Sequence, residues 1–546
     1  MKALKSNKIV LLICLLLFGI TSQGKNPKKQ IDNLLKESYS KDSPGIVVMV
    51  KKSGKEIYKK AFGMSDTELD IPMKTDMVFQ IGSVTKQFTA VSILMLMEQR
   101  KLNLDDDITK FIEDYPTNGN KITIHHLLTH TSGIKDFSDL DDWDTFKMND
   151  YKLIDLINIF KNEPINFKPG EGHQYCNSGY ILLGSIIEKI SGQTYENFIV
   201  ENIFKPLEMT NSYYGNKNRE IENRVTGYQK KDDTVVKSNL WSMSIAYAAG
   251  ALMSTAEDLS IWNQALIENK LISNESLKKA YTNYTLNNGD KIGYGYGWFI
   301  EEMHGTPNFW HGGHIAGFIT WEMYFPEDDV YIAILSNCSY KFDTKLPEKI
   351  AAIALNKPIK EKPEEIEVDV EILKQYVGVY NYDDTTSRYI KLIGNKIYYQ
   401  KSLTGLTMEL FASSENTFFR KKSESTLEFT KDDNGIVKGF LWNYGDKKEY
   451  ALKTANLLPQ HNVVLDIESL EQFVGRFERK SELFDFELHD NHLMMKFVSS
   501  DDVTYEIFPQ SENTFIAGPL KVEFSDDKNT MTFYHDERVF VTQRIE

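Results

Sequence analysis

The run Gly45-Ile-Val-Val-Met-Val50 is apolar at successive positions rather than alternate ones, which predicts a strand buried on both faces. Ser53-Gly54-Lys55 predicts a turn, and Glu56 to Phe62 a second strand, so the two read as a hairpin. Met77 to Ile81 is strand-like. From Val84 to Arg100 the apolar positions Val84, Phe88, Val91, Leu94 and Met95 fall at helical spacing and predict an amphipathic helix. A second helix is expected from Ser178 to Ser191, with Gly192 as its C-cap. Val330 to Ser336 is another buried-strand pattern. Strands near both ends of a region with helices between them imply a sheet assembled from distant segments, with a helical insert.

The pattern changes after Asn356. Residues 356–370 hold Pro358, Pro363 and many charges, and read as a linker. Beyond it the chain predicts short alternating strands separated by turn clusters such as Asp432-Asp433-Asn434-Gly435. This tail repeats itself. Leu373-Lys-Gln-Tyr-Val-Gly378 resembles Leu470-Glu-Gln-Phe-Val-Gly475, and Ser414-Glu-Asn-Thr-Phe418 recurs as Ser511-Glu-Asn-Thr-Phe515 at the same offset. Two all-β units of about a hundred residues are expected, over 371–455 and 468–546. Barrels or strongly curved sheets would hide the edges of so many short strands.

At the start, Lys2, Lys5 and Lys8 precede the apolar run Ile9 to Ile20, and Ser22 and Gly24 suit cleavage after residue 24. Residues 1–24 therefore read as a signal peptide, and the protein as exported, periplasmic or secreted, ahead of an uncleaved anchor or a lipoprotein at Cys14. No later stretch reads as a stable membrane span after cleavage. The chain has 546 residues and 41% hydrophobic residues, enough for several cores. Its net charge of -15 excludes a general nucleic-acid binder. Cys176 and Cys338 alone make no disulfide framework; Cys176 reads as a small buried hydrophobe.

Three stretches could carry chemistry. In Gly82-Ser83-Val84-Thr85-Lys86, the serine opens a helix and Lys86 returns to the same face one turn on. A lysine there can lower the cost of ionising the serine or take its proton; the same residues also fit a helix cap with a solvated lysine. In Tyr175-Cys176-Asn177-Ser178 a tyrosine and an amide stand just before a helix, which fits either a proton carrier beside a substrate clamp or a plain N-cap. In Trp310-His-Gly-Gly-His-Ile-Ala-Gly-Phe318 the glycines let an edge strand approach a ligand and offer N–H groups to an oxyanion. His311 and His314 could instead bind zinc. However, three residues apart on a strand they point to opposite faces, and no His-Glu-x-x-His occurs.

In this order, Ser-x-x-Lys, Tyr-x-Asn and a basic residue-x-Gly triplet resemble the signature of the serine β-lactamase and penicillin-binding-protein superfamily, class C β-lactamase-like branch, with its DD-peptidases, D-aminopeptidases and esterases. Thr123-Ile-His-His-Leu-Leu-Thr-His-Thr-Ser-Gly133, Pro169-Gly170, Ala249-Gly-Ala-Leu-Met-Ser-Thr-Ala-Glu-Asp258 and Gly293-Tyr-Gly-Tyr-Gly-Trp298 are similar to that branch too. The resemblance covers about residues 35–355. It implies an α/β (α+β) β-lactamase/transpeptidase-like domain over 25–355, an antiparallel sheet flanked by helices plus a helical subdomain. The tail is similar to lipocalin-like modules.

The resemblance further implies Ser83 as nucleophile, Lys86 and Tyr175 as managers of its proton, and Asn177 as a substrate clamp. His311 and Gly313 would form the third motif, and the N–H groups of Ser83 and His314 the oxyanion hole. It implies no cofactor and no metal, and a small-molecule or peptide substrate, cell-wall derived or not. His311 stands where typical class C β-lactamases have lysine, and histidine is mostly neutral at pH 7 unless a carboxylate is near. The expectation is an exported acyl-serine hydrolase of D-amino-acid-containing peptides, amides or esters. A class C-like β-lactamase and a non-catalytic cell-wall or β-lactam sensor are the alternatives.

Overall fold

The computed structural model describes residues 26–545, apart from 141, 217–218, 232–233, 240, 360–362, 384–385, 403–405, 422, 424, 445–446, 459–462, 480–481, 499–502 and 536–537. The signal-peptide expectation for 1–24 lies outside the described residues. Two compact units divide at Ile359 and Lys360.

The first unit is built on a six-stranded antiparallel sheet. In chain order its strands are β1 (Ile46–Lys52), β2 (Lys55–Phe62), β3 (Phe299–Met303), β4 (Thr306–Ile315), β5 (Phe318–Phe325) and β6 (Val330–Ser336). They lie side by side as β3-β4-β5-β6-β1-β2, so the two ends of the unit meet in the middle through the β1–β6 pairing. Both faces are covered, which explains the unbroken apolar runs. Ile46, Val48, Val50, Ile332 and Ile334 face a small core shared with helices α1 (Pro27–Ser38) and α5 (Leu346–Ala354). Val47, Met49, Ala333 and Leu335 face a much larger core containing the helical insert.

The centre of that insert is α2 (Thr85–Glu98), packed against α3 (Asn177–Ser191) and α4 (Met243–Gly250). The sequence predicts one apolar face for α2. Instead every residue from Thr85 to Leu94 is buried, Lys86, Gln87, Thr89 and Ser92 among them. Its polar side chains are compatible with this because they find internal partners: Ser92 Oγ donates to Phe88 O at 2.8 Å, and Gln87 Oε1 accepts from Trp262 Nε1 at 3.0 Å. Among the described residues no helix is long and apolar enough to cross a membrane.

The second unit consists of two eight-stranded up-and-down barrels. In the first, strands run from Gly378–Asn381 to Lys447–Lys453, and these two close the ring. In the second, Gly475–Arg479 closes on Arg538–Arg544 in the same way. A short helix before each barrel puts Leu373 and Tyr376 in one core and Leu470 in the other, where Phe473 follows just after the helix. The duplication extends to single contacts. Lys453 Nζ donates to Gln375 O at 2.6 Å, and Arg544 donates to Gln472 O at 3.2 Å, the matching carbonyl of the other repeat. Closure removes the free edges that eight short strands would otherwise expose.

The barrels join where Thr407 pairs with Thr504, and a buried ion pair sits behind that junction. Glu506 accepts from Lys391 Nζ at 2.6 Å, from Gln400 Nε2 at 3.3 Å and from His492 Nδ1 at 2.5 Å. Burial pushes the Glu506 carboxyl up, but the bonds from His492 and Lys391 outweigh it and hold the group below its ordinary value. A carboxylate held low contributes stability that is complete above its unfolded value and is lost as pH falls through the folded one. Glu506→Ala should therefore speed hydrogen exchange in strands 407–412 and 503–509 at pH 7, consistent with the roughly 3–5 kcal/mol typical of stranding a buried partner. Near pH 3 the difference from wild type should narrow. Unchanged exchange at pH 7 would show that the ion pair does not hold the junction.

Candidate active site

Ser83 lies in a single 3-10 turn, Gly82–Val84, that runs directly into α2. Lys86 is one turn further and wholly buried. Its Nζ is 3.1 Å from Ser83 Oγ, 2.9 Å from Asn177 Oδ1 and 2.9 Å from Ala249 O. Burial lowers its pKa to about 7, with the charge of Asp136 opposing. The three partners are not equivalent. A carbonyl and an amide oxygen can only accept, and so take two N–H bonds; the serine hydroxyl can also donate. A neutral Lys86 amine therefore satisfies both acceptors and keeps its lone pair for the Ser83 proton.

Each partner is held by its own local device. Asn177 is the first residue of α3, and its N–H donates to Asp136 Oδ2. Asp136 also caps the turn Phe137–Asp139 through Ser138 N at 2.8 Å. Ala249 follows a backbone kink in α4: Tyr247 has φ 35° and ψ -131°, a region that costs a non-glycine residue about 1–3 kcal/mol. The Tyr247 hydroxyl is anchored to Glu188 at 2.7 Å. The kink aims two successive carbonyls at α2, Ala248 O at Thr89 Oγ1 and Ala249 O at Lys86.

Tyr175 stands over this group, with Lys86 Nζ 4.8 Å from its ring centroid. Its hydroxyl is buried and has no hydrogen bond of regular geometry. Burial drives its pKa well above the ordinary value, and neighbouring Ser83 offsets this in part. His130 lies beside the Tyr175 ring, 4.4 Å between centroids, and its Nδ1 accepts from Cys176 N at 3.0 Å. Burial holds His130 well below its usual value, so it is neutral.

His311 is buried and His314 is turned the other way, towards the pocket. The Nδ1 of His311 faces Gly312 O at 2.7 Å; a carbonyl only accepts, so that nitrogen carries the proton and Nε2 accepts from the Tyr294 hydroxyl at 2.9 Å. Burial, with the nearby Lys86, lowers His311 to about 3. Its cross-strand neighbour is Glu322, whose carboxyl burial pushes up to about 7. Cys176 is buried and unpaired in a disulfide, with Sγ against Ile134 O.

β4 is not an edge strand throughout. β3 covers it as far as Trp310, and only the segment from His311 to Ile315 is free on that side. The 3-10 turn of Ser83 fills the space. A Cβ on Gly313 would lie 2.0 Å from Ile81 O and 3.3 Å from Ser83 N, and a Cβ on Gly82 would lie 3.0 Å from His314 N. These two glycines let the Ser83 turn approach the backbone at His314 closely, and both residues line one opening. That opening is a pocket of about 300 Å³, lined by Ser83, Tyr175, Asn177 and His314 together with Phe137, Trp143 and Trp241.

The seven predicted residues Ser83, Lys86, Tyr175, Asn177, His311, Gly313 and His314 thus converge. Asp136, His130, Tyr247, Tyr294 and the pocket aromatics are additions. His130 and Tyr294 fall inside stretches that resemble the family, and Asp136-Phe-Ser has the form of an N-cap. Tyr247 and the two tryptophans carry no such local signal.

The family model described as Beta-lactamase matches residues 29–355, more than half of the chain. Penicillin-binding protein 4* of Bacillus subtilis (strain 168) is 29% identical over 452 residues, which make up 78% of this chain and 98% of that protein. Protein flp of Staphylococcus aureus (strain MRSA252) is 28% identical over 340 residues, 60% of this chain and 66% of that protein. Among solved structures, the octameric penicillin-binding protein homologue from Pyrococcus abyssi aligns with a TM-score of 0.57 at 27% identity, over 77% of this chain and 99% of that one. The D-amino acid amidase from Ochrobactrum anthropi SV3, complexed with D-phenylalanine, shares the fold with a TM-score of 0.53 at 21% identity, over 61% of this chain and 99% of that one.

The close approach of β4 to the serine turn makes Gly313 a sensitive position. Gly313→Ala would press a methyl group into a backbone carbonyl and force the strand away from Ser83. Turnover of any ester the wild type hydrolyses should fall by about 10²-fold or more, the typical effect of losing one oxyanion donor. Wild-type turnover in this variant would show that the approach has no catalytic consequence.

Proposed function

The chain belongs to the Beta-lactamase family, a family of serine hydrolases, and from that premise we propose that it hydrolyses D-amino-acid-containing peptides, amides or esters through an acyl group carried on Ser83. The observation that carries this reading is the Lys86 amine, buried against Ser83 with its other two contacts taken by obligate acceptors. Lys86 takes the proton as Ser83 Oγ attacks the carbonyl carbon. Tyr175, beside both, passes a proton to the leaving group. The N–H groups of Ser83 and His314 hold the developing oxyanion. Water then attacks the acyl-serine, and the proton returns by the same route. Asn177 holds Lys86 with its oxygen and offers its NH₂ to the acyl group.

Neutral His311 supports amide and ester substrates over a class C-like β-lactamase, which relies on a cation for the β-lactam carboxylate. The filled Ser83–Lys86 pair weighs against a pure sensor. Export rests on the basic and apolar pattern of residues 1–24, and a cell-wall origin of the substrate rests on the penicillin-binding relatives. The residues of the barrels favour no particular role for them.

Hydrolysis should vanish in Ser83→Ala, and intact-mass measurement on wild type should reveal an acyl adduct from a slow ester or from benzylpenicillin. Because Lys86 must be unprotonated to act, kcat/KM should rise about tenfold per pH unit below its value of about 7 and level off above it. Lys86→Arg, which cannot lose its proton, should be inactive at every pH. Full activity in Ser83→Ala would overturn the assignment, and a flat profile from pH 5 to 9 would remove Lys86 as the base.

A further inference from the structure

The walls of the pocket are specific in their chemistry. Phe137, Trp143, Trp241, Ile245, Ala246 and Ile315 form its apolar side, and none of the described lining residues is an aspartate, glutamate, lysine or arginine. The aromatics come from segments about a hundred residues apart, yet they are in contact. The Trp143 and Trp241 rings meet edge to face at 5.2 Å, and Phe137 meets Trp143 at 5.6 Å. Both tryptophans remain partly exposed towards the opening. Lys147 lies 6.0 Å over the Trp241 ring and outside the lining. Lys86, beneath the floor, is committed to its three ligands.

We propose that Phe137, Trp143 and Trp241 form a subsite for an uncharged aromatic acyl group, so that the preferred substrates carry a ring next to the scissile carbonyl and no carboxylate beside it. This rests on the acyl-serine reading above. The acyl side is assigned because the segment carrying Phe137 and Trp143 is tied through Asp136 to the backbone of Asn177, the residue that would hold the acyl group. A ring placed here covers apolar surface on two indoles and gains edge and face contacts with them. A carboxylate placed here would lose its hydration and meet no cation among the described lining residues.

The test uses methyl esters of acetic, phenylacetic and 4-carboxyphenylacetic acid, each rate divided by that of hydroxide-catalysed hydrolysis. The full-length enzyme should favour phenylacetate over acetate by about tenfold or more in kcat/KM, and the 4-carboxy analogue should lose most of that advantage. Trp143→Ala and Trp241→Ala should each shrink the phenylacetate-to-acetate ratio several-fold, while Trp143→Phe keeps most of it. Binding to Ser83→Ala, measured by calorimetry with phenylacetamide and 4-carboxyphenylacetamide, reads the subsite without turnover and should favour the uncharged amide. Equal use of acetate and phenylacetate, a preference for the carboxylate, or a ring preference seen only with benzyl acetate would overturn the proposal. Failure of every ester to show Ser83-dependent turnover, with phenylacetamide still preferred in binding, would sink the acyl-serine reading and leave the subsite standing.

Discussion

The arrangement of the first unit depends on keeping a lysine amine out of water. Removing an ammonium from solvent costs several kcal/mol even in a relaxed protein interior, and Lys86 is completely buried. The structure does not meet that cost with a carboxylate partner, which would fix the charge. It supplies a backbone carbonyl, a side-chain amide and the Ser83 hydroxyl. These suit a neutral amine as well as a charged one, which is why burial can bring the group down to about 7. The N-terminus of α3, the Asp136 loop and the kink at Tyr247 all serve to hold those partners in place. The strain at Tyr247 is intelligible on this view. Ala248 and Ala249 lie in the last turn of α4, where carbonyls have no partner within the helix, and beyond the kink they bond to α2 instead.

Much of this was legible in the chain. The unbroken runs at Gly45 to Val50 and Val330 to Ser336 identify strands buried on both faces, and these pair with each other at the centre of the sheet. The three motifs pick out Ser83, Lys86, Tyr175, Asn177 and His311, which the fold brings together. The repeat in the tail identifies two copies of one closed barrel. What escaped the sequence has a common physical cause. The burial of α2 on all sides cannot be seen in its periodicity, since Gln87, Thr89 and Ser92 look like a solvated face until their partners, contributed by distant segments or by the helix itself, are known. Tyr247 is an ordinary tyrosine in the sequence; its φ is imposed by tertiary contacts. Trp143 and Trp241 come together only through the fold.

The edge-strand expectation for β4 shows how a local reading can be right about chemistry and incomplete about structure. The glycines at 312 and 313 do allow a close approach, but what approaches in this structure is the backbone of the chain itself. Gly313 admits Ile81 O and Ser83 N, so the strand's unpaired half is capped by the turn that carries the serine. On that side of β4 the backbone left uncovered by β3 is thereby confined to His311–Ile315, beside the pocket. Elsewhere β3 completes the hydrogen bonding, consistent with the general requirement that buried backbone groups be paired.

The replacement of a cationic third motif by His311 has consequences beyond one contact. A lysine at that place would set a permanent positive charge among Tyr175, His130 and Lys86, and in a low-dielectric interior like charges interact strongly. It would press Lys86 still further towards its neutral form. With His311 neutral, its proton fixed on Nδ1 and its Nε2 occupied by Tyr294, that position adds no charge beside Lys86, and only the charge of Asp136 is left to oppose burial there. The same neutrality leaves nothing at that position to attract a substrate carboxylate. Burial sets the state of Lys86 against the pull of Asp136, and the uncharged lining sets the chemistry of the pocket above it.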